Sequence, residues 1–223
     1  IINGAECEPY ITSDYRCFME EGEDVLEGVL LMLKYLGIPK CVIGIEKNKP
    51  KAIEKMTRLC EKHDNITVKA LKSSYPQGAE KTLIFSTTGR VVKEGTLPLA
   101  SGCIVINSST AAFIAQYIRT GMPLVKRRIT VDGNIVKKPS NFIVPVGMSI
   151  GEIVYYAELS DKPDRIILGG PMMGACAFDP DYPLSKTNNA VLMFADSPVY
   201  EPSDCIRCGK CVKACSMNLL PTC

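Results

Sequence analysis

Four cysteines near the end of the chain have the spacing of iron–sulfur cluster ligands. Cys205, Cys208, Cys211 and Cys215 form the motif C-x2-C-x2-C-x3-C. Three cysteines spaced by two residues let a tight loop surround one corner of a cubane cluster. The longer last gap turns the fourth thiolate away, toward the second cluster of a two-cluster domain. The motif therefore predicts these four residues as ligands of [4Fe–4S] clusters.

Zinc and disulfides are the alternative explanations for these cysteines. Zinc sites usually separate two cysteine pairs by about 12 or more residues, and this motif does not. The total of 11 cysteines is odd, and those before residue 200 are scattered along the chain. This favours free thiols in a reducing, cytosolic setting over disulfides. Cys223 stays open between a substitute fourth ligand and a thiol without a role.

Two carboxylates, Glu6 and Glu8, stand two residues apart in the segment NGAECEPY (residues 3–10), between a glycine and a proline. Residues i and i+2 of an extended backbone point to the same side, so both carboxylates can line one pocket. The alternative is a solvent-exposed acidic turn, which this spacing by itself also fits.

Two further segments combine a polar loop with the start of a predicted helix. Tyr75, Gly78 and Glu80 belong to YPQGAEK, while Asn107 and Thr110 belong to NSST. The first turn of a helix offers backbone N–H groups to a phosphate or to the edge of a flavin ring. For NSST, simple helix capping is the alternative. All three segments follow predicted strands, and an α/β sheet binds its ligands at the carboxyl ends of its strands.

Helices and strands are predicted to alternate in the part of the chain before Pro123. The first predicted helix has apolar residues at i, i+3 and i+4 spacing, the second has Asn48 as its cap and Pro50 in its first turn, and CVIGIE is a short apolar run typical of a buried strand. The predicted helices cover residues 22–36, 48–62 and 109–120, and the predicted strands cover residues 41–46, 66–71 and 103–107. Strand, helix and strand in this order form right-handed βαβ units, so we expect a Rossmann-like α/β domain.

The pattern changes after Pro123. Asp132-Gly133 between two β-rich runs predicts a hairpin. Ser149, with Glu152 three residues later, predicts a capping box at the start of a short helix. A hairpin followed by a short helix predicts a β-grasp insert.

The later segments predict a return to the first domain and then a linker. Runs of buried-strand composition lie at residues 165–170 and 190–195, and the prolines at residues 198 and 202 indicate a linker over residues 196–204. The predicted domains are 1–122 (Rossmann-like), 123–160 (β-grasp insert), 161–196 (return to the α/β domain) and 197–223 (ferredoxin-like and cysteine-rich).

Composition disfavours several classes of function. Lys and Arg total 26 against 24 Asp and Glu, a formal net charge of +2, so no basic face for nucleic acid is expected. No apolar run reaches the ~18–20 residues of a membrane span. His63 is the only histidine, which leaves little for a histidine-based metal site or a Ser-His-Asp triad.

Four motifs in the same order resemble the C subunit of the Rnf electron-transport complex. They are NGAECEPY, YPQGAEKTLI, GGPMMG and CIRCGKCVKACSMNLLP. That family is similar to the flavin-carrying NADH dehydrogenase subunit of respiratory complex I. The resemblance implies an FMN-binding Rossmann-like domain, a soluble-ligand-binding (SLBB-type) β-grasp insert and a domain with two [4Fe–4S] clusters.

The resemblance also implies roles for individual residues. Glu6 and Glu8 match the loop that faces the flavin and the nicotinamide and are the expected catalytic residues. The expected cofactor-binding residues are Asn3, Glu6, Glu8, Tyr75, Gly78, Glu80, Asn107 and Thr110.

The activity that the resemblance implies is that of a membrane-associated NAD:ferredoxin oxidoreductase which couples electron transfer to ion translocation. FMN would exchange hydride with NAD(H), and the clusters would relay electrons to ferredoxin or an iron–sulfur partner and to other Rnf subunits. We expect a peripheral protein on the cytoplasmic side of a bacterial or archaeal membrane. The alternatives are a non-catalytic iron–sulfur carrier or docking module, and a zinc-stapled ligand-binding module.

The family's glycine-rich phosphate loop lies upstream of NGAECEPY. Because a phosphate site depends on such a loop, we expect this stretch by itself to bind FMN poorly and to be inactive.

Overall fold

The structure is a computed structural model, and it describes residues 1–195, 201 and 203–222. Its first part alternates strands and helices. The strands are β1 (Ile2–Gly4), β2 (Cys41–Glu46), β3 (Ile66–Leu71) and β4 (Ile106–Asn107), and the helices are α1 (Ser13–Tyr35), α2 (Pro50–Cys60), α3 (Glu80–Thr88) and α4 (Ser108–Thr120). The four strands pair in parallel in the order β3-β2-β1-β4. The predicted mixed α/β class with a parallel sheet is confirmed.

The core of this part lies between the sheet and the helices α1, α2 and α4. Phe18, Ile43, Ile45 and Met56 are fully buried there. Helices α1 and α4 pack at very short range, because a Cβ at Gly28 would lie 1.9 Å from the backbone oxygen of Ala111. This close approach fixes the start of α4 against α1.

Helix α1 is longer than its predicted counterpart over residues 22–36. It begins at Ser13, and the backbone leaves helical geometry only at Glu21. The acidic run around Glu21 resembles the start of a helix, but it lies at this local kink. The difference matters for function, because it places the true start of α1 directly after the segment NGAECEPY.

A second, five-stranded sheet follows. Its strands are β5 (Lys126–Asp132), β6 (Ser140–Pro145), β7 (Arg165–Leu168), β8 (Ala175–Ala177) and β9 (Ala190–Phe194), in the order β6-β5-β9-β7-β8. Strands β5 and β6 form the predicted hairpin, and β9 returns parallel to β5. Helix α5 (Ile150–Tyr156) begins with the predicted capping box of Ser149 and Glu152 and packs on this sheet. A hairpin, a helix and a parallel return strand follow the order of a β-grasp fold.

Strands β7, β8 and β9 belong to the segment that was predicted to return to the α/β domain. They pair with one another and with β5, not with the parallel sheet. Apolar composition identifies a buried strand but does not say which sheet it joins. The boundaries at residues 122, 160 and 196 stay a prediction.

The two sheets meet along the start of α1. Ile11 packs against Ile167 and Leu192 of the second sheet. Arg128 of β5 donates to Glu20 Oε2 (2.5 Å) and Glu21 Oε1 (2.6 Å) at the kink of α1. The loop between β1 and α1 is therefore enclosed by both sheets.

The cysteine-rich end contains one short helix, α6 (Lys210–Ala214). The predicted linker over residues 196–204 includes 196–200 and 202, which lie outside the described residues, as does Cys223.

Among the residues that the structure describes, no helix has the length and apolarity that crossing a membrane requires.

Candidate functional site

A cavity of about 350 Å³ lies between the two sheets, at the carboxyl ends of the parallel strands. Its volume falls within the range of about 300–1,000 Å³ that is usual for small-molecule sites. Much of the lining comes from β1 and the loop after it, from the loop after β3, and from the end of β4 at Asn107, as the positions of the three polar segments predict. Six of the eight predicted binding residues line it, namely Asn3, Glu6, Glu8, Tyr75, Gly78 and Asn107.

The other two predicted binding residues lie elsewhere. Glu80 is exposed at the first position of α3. Thr110 is exposed in the first turn of α4 and lines a separate cavity of about 430 Å³. Both residues are close in sequence to lining residues, but the turn of the helix carries them away from the cavity.

Asn3 joins the first two loops of the cavity. Its Nδ2 donates to the backbone oxygen of Gly78 (2.9 Å), and its Oδ1 accepts from the backbone N–H of Ala5 (3.1 Å). The backbone N–H of Gly78 points to Cys7 Sγ (3.4 Å). Burial raises the pKa of the Cys7 thiol, so it stays protonated at neutral pH and is a poor nucleophile.

Glu6 caps the start of α1. Its Oε1 accepts from the backbone N–H of Asp14 (2.8 Å), and its Oε2 accepts from that of Tyr15 (3.4 Å). Its side chain is 3% exposed. Burial and then the negative charge of Asp14 raise the pKa of Glu6 to about 7, against the lowering effect of Lys49. Glu6 can therefore gain or lose a proton near neutral pH.

Asp14 was not predicted as a site residue, yet it organises the start of α4. Its carboxylate accepts from Asn107 Nδ2 (3.0 and 3.1 Å) and from the hydroxyls of Ser108 (3.1 Å) and Ser109 (3.4 Å). Asn107 Oδ1 in turn caps α4 by accepting from the backbone N–H of Ser109 (2.9 Å). Burial raises the pKa of Asp14, and the hydrogen bonds oppose that shift. A protein carboxylate thus occupies the place where a helix start attracts anions.

A buried ion pair, Lys49 with Glu46, contacts Glu6 of the cavity lining. Lys49 Nζ donates to Glu46 Oε2 (3.3 Å) and to the backbone oxygen of Glu6 (3.3 Å), and it lies 3.5 Å from Glu6 Oε2. Glu46 is 2% exposed. Neither residue was predicted, although a glutamate that ends the apolar run CVIGIE is a signal for a functional charge.

Glu8 reaches across to the second sheet. Its Oε2 accepts from the backbone N–H groups of Met172 (2.8 Å) and Met173 (3.3 Å), which lie in the loop of residues 169–174 between β7 and β8. Met173 also lines the cavity. The motif GGPMMG is therefore part of the wall that encloses the site.

The lining residues indicate which chemical groups the cavity suits. Glu6, Glu8 and Asp14 are each held by N–H or O–H donors of the protein, and none of the described lining residues is Lys or Arg. Such a lining repels a phosphate but offers acceptors and amides to a ring with N–H groups. The cavity therefore suits a flat polar ring better than a phosphate group.

The four predicted cluster ligands lie on the exposed end of the chain. Cys205, Cys208 and Cys211 are exposed and Cys215 is half-buried. Backbone N–H groups point to the sulfur atoms of Cys205 (3.4 Å) and Cys215 (3.3 Å), as they do around cluster thiolates. The donor set is therefore suitable for iron, although within residues 1–195, 201 and 203–222 no three candidate ligands are gathered closely enough to hold a metal ion.

Two family models match the chain. Residues 1–116 match the Nuo51 FMN-binding domain of complex I. Residues 198–218 match a 4Fe-4S binding domain. These matches cover the cavity loops and the cysteine motif respectively.

Curated relatives extend the similarity to the whole chain. The C subunit of the proton-translocating ferredoxin:NAD(+) oxidoreductase complex of Clostridium ljungdahlii is 41% identical over 225 aligned residues, which cover 100% of this chain and 49% of that subunit. The C subunit of the Na(+)-translocating complex of Acetobacterium woodii is 39% identical, with 99% of this chain and 51% of that subunit covered. The C subunit of the ion-translocating oxidoreductase complex of Rhodobacter capsulatus is 38% identical, with 99% and 43% covered. The chain spans about half the length of these bacterial relatives.

A solved structure confirms the fold. The NAD+-reducing [NiFe]-hydrogenase in its H2-reduced state superposes with a TM-score of 0.72 at 18% identity, over 86% of this chain and 39% of that one.

The resemblance to Rnf C subunits that the four motifs predicted is confirmed by the relatives. With its family model matched over residues 1–116, the chain belongs to the family of the Nuo51 FMN-binding domain.

Proposed function

We propose that the chain is the flavin and iron–sulfur part of an ion-translocating ferredoxin:NAD oxidoreductase subunit of the Rnf type. The observation that supports it most is one cavity at the carboxyl ends of the parallel strands, lined by six of the predicted binding residues from three separate segments, in a chain that also has a four-cysteine cluster motif. FMN and two [4Fe–4S] clusters are the proposed cofactors, and NAD(H) is the proposed substrate.

The residues that would hold the flavin ring are those with polar atoms free to face it. Tyr75 Oη and Glu8 Oε1 have no hydrogen-bond partner within the described part of the chain, and both side chains line the cavity. Asn3 and Asn107 are already fixed by other protein groups, so they shape the walls. Glu80 and Thr110 lie outside the cavity, and their part in cofactor binding stays a prediction.

When bound, FMN supplies hydride exchange with a nicotinamide nucleotide and one-electron exchange with iron–sulfur clusters. Glu6 is proposed to hold or release a proton beside the ring, because its pKa of about 7 lies near the working pH. Lys49 lies close enough to Glu6 to stabilise its carboxylate form. Glu8 is proposed to accept a hydrogen bond from the ring or from the substrate amide.

The proposed cluster ligands are Cys205, Cys208, Cys211 and Cys215. Their exposure would place a cluster at the surface, where a partner protein can approach it. The proposed partners are the other subunits of the membrane complex and ferredoxin or another iron–sulfur protein. The proposed location is the cytoplasmic side of the bacterial cell membrane, with attachment through those subunits.

Analysis of the protein as the cell makes it, purified without oxygen, tests the proposal. We expect iron and acid-labile sulfide in similar amounts, bound FMN, and dye reduction by NADH. Zinc without sulfide would instead identify a zinc-stapled ligand-binding module. Iron and sulfide without flavin or NADH-linked dye reduction would identify a non-catalytic electron carrier.

A further inference from the structure

The loop of residues 169–174 is pressed against Glu8. A Cβ at Gly170 would lie 1.9 Å from Glu8 Oε2 and 2.3 Å from its Cδ, so only glycine leaves room for the carboxylate. Gly169 has a φ of 103°, which other residues rarely adopt. Gly169 and Gly170, the first two of the three glycines in GGPMMG, therefore permit a tight contact between this loop and Glu8.

The Glu8 carboxylate also accepts hydrogen bonds from the backbone of the loop. The N–H groups of Met172 and Met173 both point to Glu8 Oε2. Tyr10 stacks edge-on to Phe194 of the second sheet with ring centres 5.4 Å apart. The segment that carries Glu8 is thus held to the second sheet at Glu8 and again at Tyr10, and these contacts fix the position of the loop relative to the cavity.

The two methionines of the loop differ in one respect. Met173 lines the cavity, and Met172 does not. Both are exposed, at 77% and 55%, so neither side chain is needed to fill a core. A thioether is polarizable and makes favourable contacts with aromatic rings.

We propose that Met173 contacts the flat ring of a nucleotide bound in the cavity, and that Glu8 and Gly170 are positioning residues which hold Met173 there. The ligand class is the aromatic ring of a flavin or of a nicotinamide. This inference rests on the proposed function. It gives the second sheet a direct part in the site, through a loop more than 160 residues away from Glu8 in sequence.

Met173→Ala and Met172→Ala are a matched pair for testing the ligand contact in the protein as the cell makes it. FMN and NADH are each titrated, and the visible absorption band of the flavin is recorded. Met173→Ala is expected to weaken binding of one of the two by about two- to tenfold and, where FMN is affected, to shift that band. Met172→Ala should stay within about twofold of the wild type.

Two results of these titrations overturn the contact. One is unchanged affinity for both nucleotides in Met173→Ala, and the other is an equal loss in Met172→Ala. A loss for FMN alone assigns Met173 to the flavin ring, and a loss for NADH alone assigns it to the nicotinamide. If the wild type binds neither nucleotide, the proposed function fails, and the contact fails with it.

The positioning role is tested without any ligand. Hydrogen exchange at the amides of Met172 and Met173 is measured in Glu8→Ala and Glu8→Gln. Exchange is expected to be much faster in Glu8→Ala and only slightly faster in Glu8→Gln, which keeps an acceptor oxygen. Unchanged exchange in Glu8→Ala would overturn the positioning role, whatever the titrations show.

Discussion

The cavity between the sheets and the cysteine-rich end are held together in different ways. Around the cavity, each carboxylate has protein donors, and the loops stand on buried strands and helices. At the other end, α6 has five residues and none of them is buried, while Ile206 is 85% exposed. Packing therefore fixes the cavity before any ligand binds, whereas the cysteine segment has little packing to fix it, and a bound cluster would supply the order.

Loss of a cluster ligand is the largest change expected, and it should affect only one of the two regions. Cys208→Ser removes a thiolate from the motif, so most of the bound iron and sulfide should be lost. FMN affinity and thermal stability of the cavity region should remain. Metal analysis, flavin titration and calorimetry measure the three quantities.

Cys176→Ser is the control for that substitution, because Cys176 is exposed but lies outside the motif. It should leave iron, flavin and stability unchanged. Equal loss of iron in both variants, or loss of flavin binding in Cys208→Ser, would contradict the independence of the two regions.

A substitution in the core of the first sheet should have the opposite effect, because it should disturb the cavity and leave the cysteine-rich end unchanged. Phe18 is fully buried and packs against Gly4 of β1, since a Cβ there would lie 2.3 Å from the Phe18 ring. Phe18→Ala should lower the free energy of unfolding by about 3–5 kcal/mol and weaken FMN binding. Urea unfolding and flavin titration check this.

Phe178→Ala provides the matched control, because Phe178 is 97% exposed. It should change unfolding by less than about 0.5 kcal/mol. Iron content should be the same in both variants at a temperature where Phe18→Ala stays folded. A stable Phe18→Ala with normal FMN affinity would show that packing does not fix the cavity.

Titration of Glu6 makes the stability of the cavity region depend on pH. Its pKa is about 7 in the folded protein and 4.5 as the ordinary value, so the folded state binds the proton more tightly than the unfolded state. The contribution of Glu6 to stability is therefore greatest below the ordinary pKa value and falls as the pH rises toward 7, by at most about 3 kcal/mol. Asp14 contributes with the same sign, because its pKa is also raised.

Comparison of unfolding from pH 4.5 to 8 in the wild type and in Glu6→Gln isolates this contribution. Glu6→Gln should remove much of the fall in stability, and Glu54→Gln, on an exposed face of α2, should not. The same slope in the wild type and in Glu6→Gln would mean that Glu6 does not titrate in this range.

The smallest effect is expected at a surface ion pair. Arg119 of α4 donates to Asp24 (2.7 Å) and Glu27 (2.9 Å) of α1, and its side chain is half-exposed. Solvent and salt screen such pairs. Arg119→Ala should leave FMN affinity and iron content unchanged, and any loss of stability should vanish at high salt; a loss of FMN affinity would show that the surface pair helps to fix the cavity.

The sequence was sufficient for most of the elements and for the segments that line the cavity, because both depend on local pattern. Apolar runs such as CVIGIE identify buried strands, and ligands bind where parallel strands end. The family model and the solved hydrogenase structure agree with the class so derived. The start of α1 was missed, because the acidic run near its kink resembles a helix start.

The contacts that hold the cavity depend on long-range geometry, which no local pattern contains. Asp14 lies 93 residues before Asn107, and Glu8 lies 164 residues before Met172. Helical rotation likewise removes Glu80 and Thr110 from the lining, although their neighbours Ala79 and Asn107 belong to it. Such pairings are set by how the two sheets pack.

A crystal structure of the protein as the cell makes it, with FMN bound, would show directly which residues hold the flavin ring. We expect the ring in the cavity between the two sheets, within hydrogen-bond distance of Tyr75 or Glu8 and in contact with Met173. A flavin bound elsewhere, with this cavity filled only by solvent, would contradict this expectation.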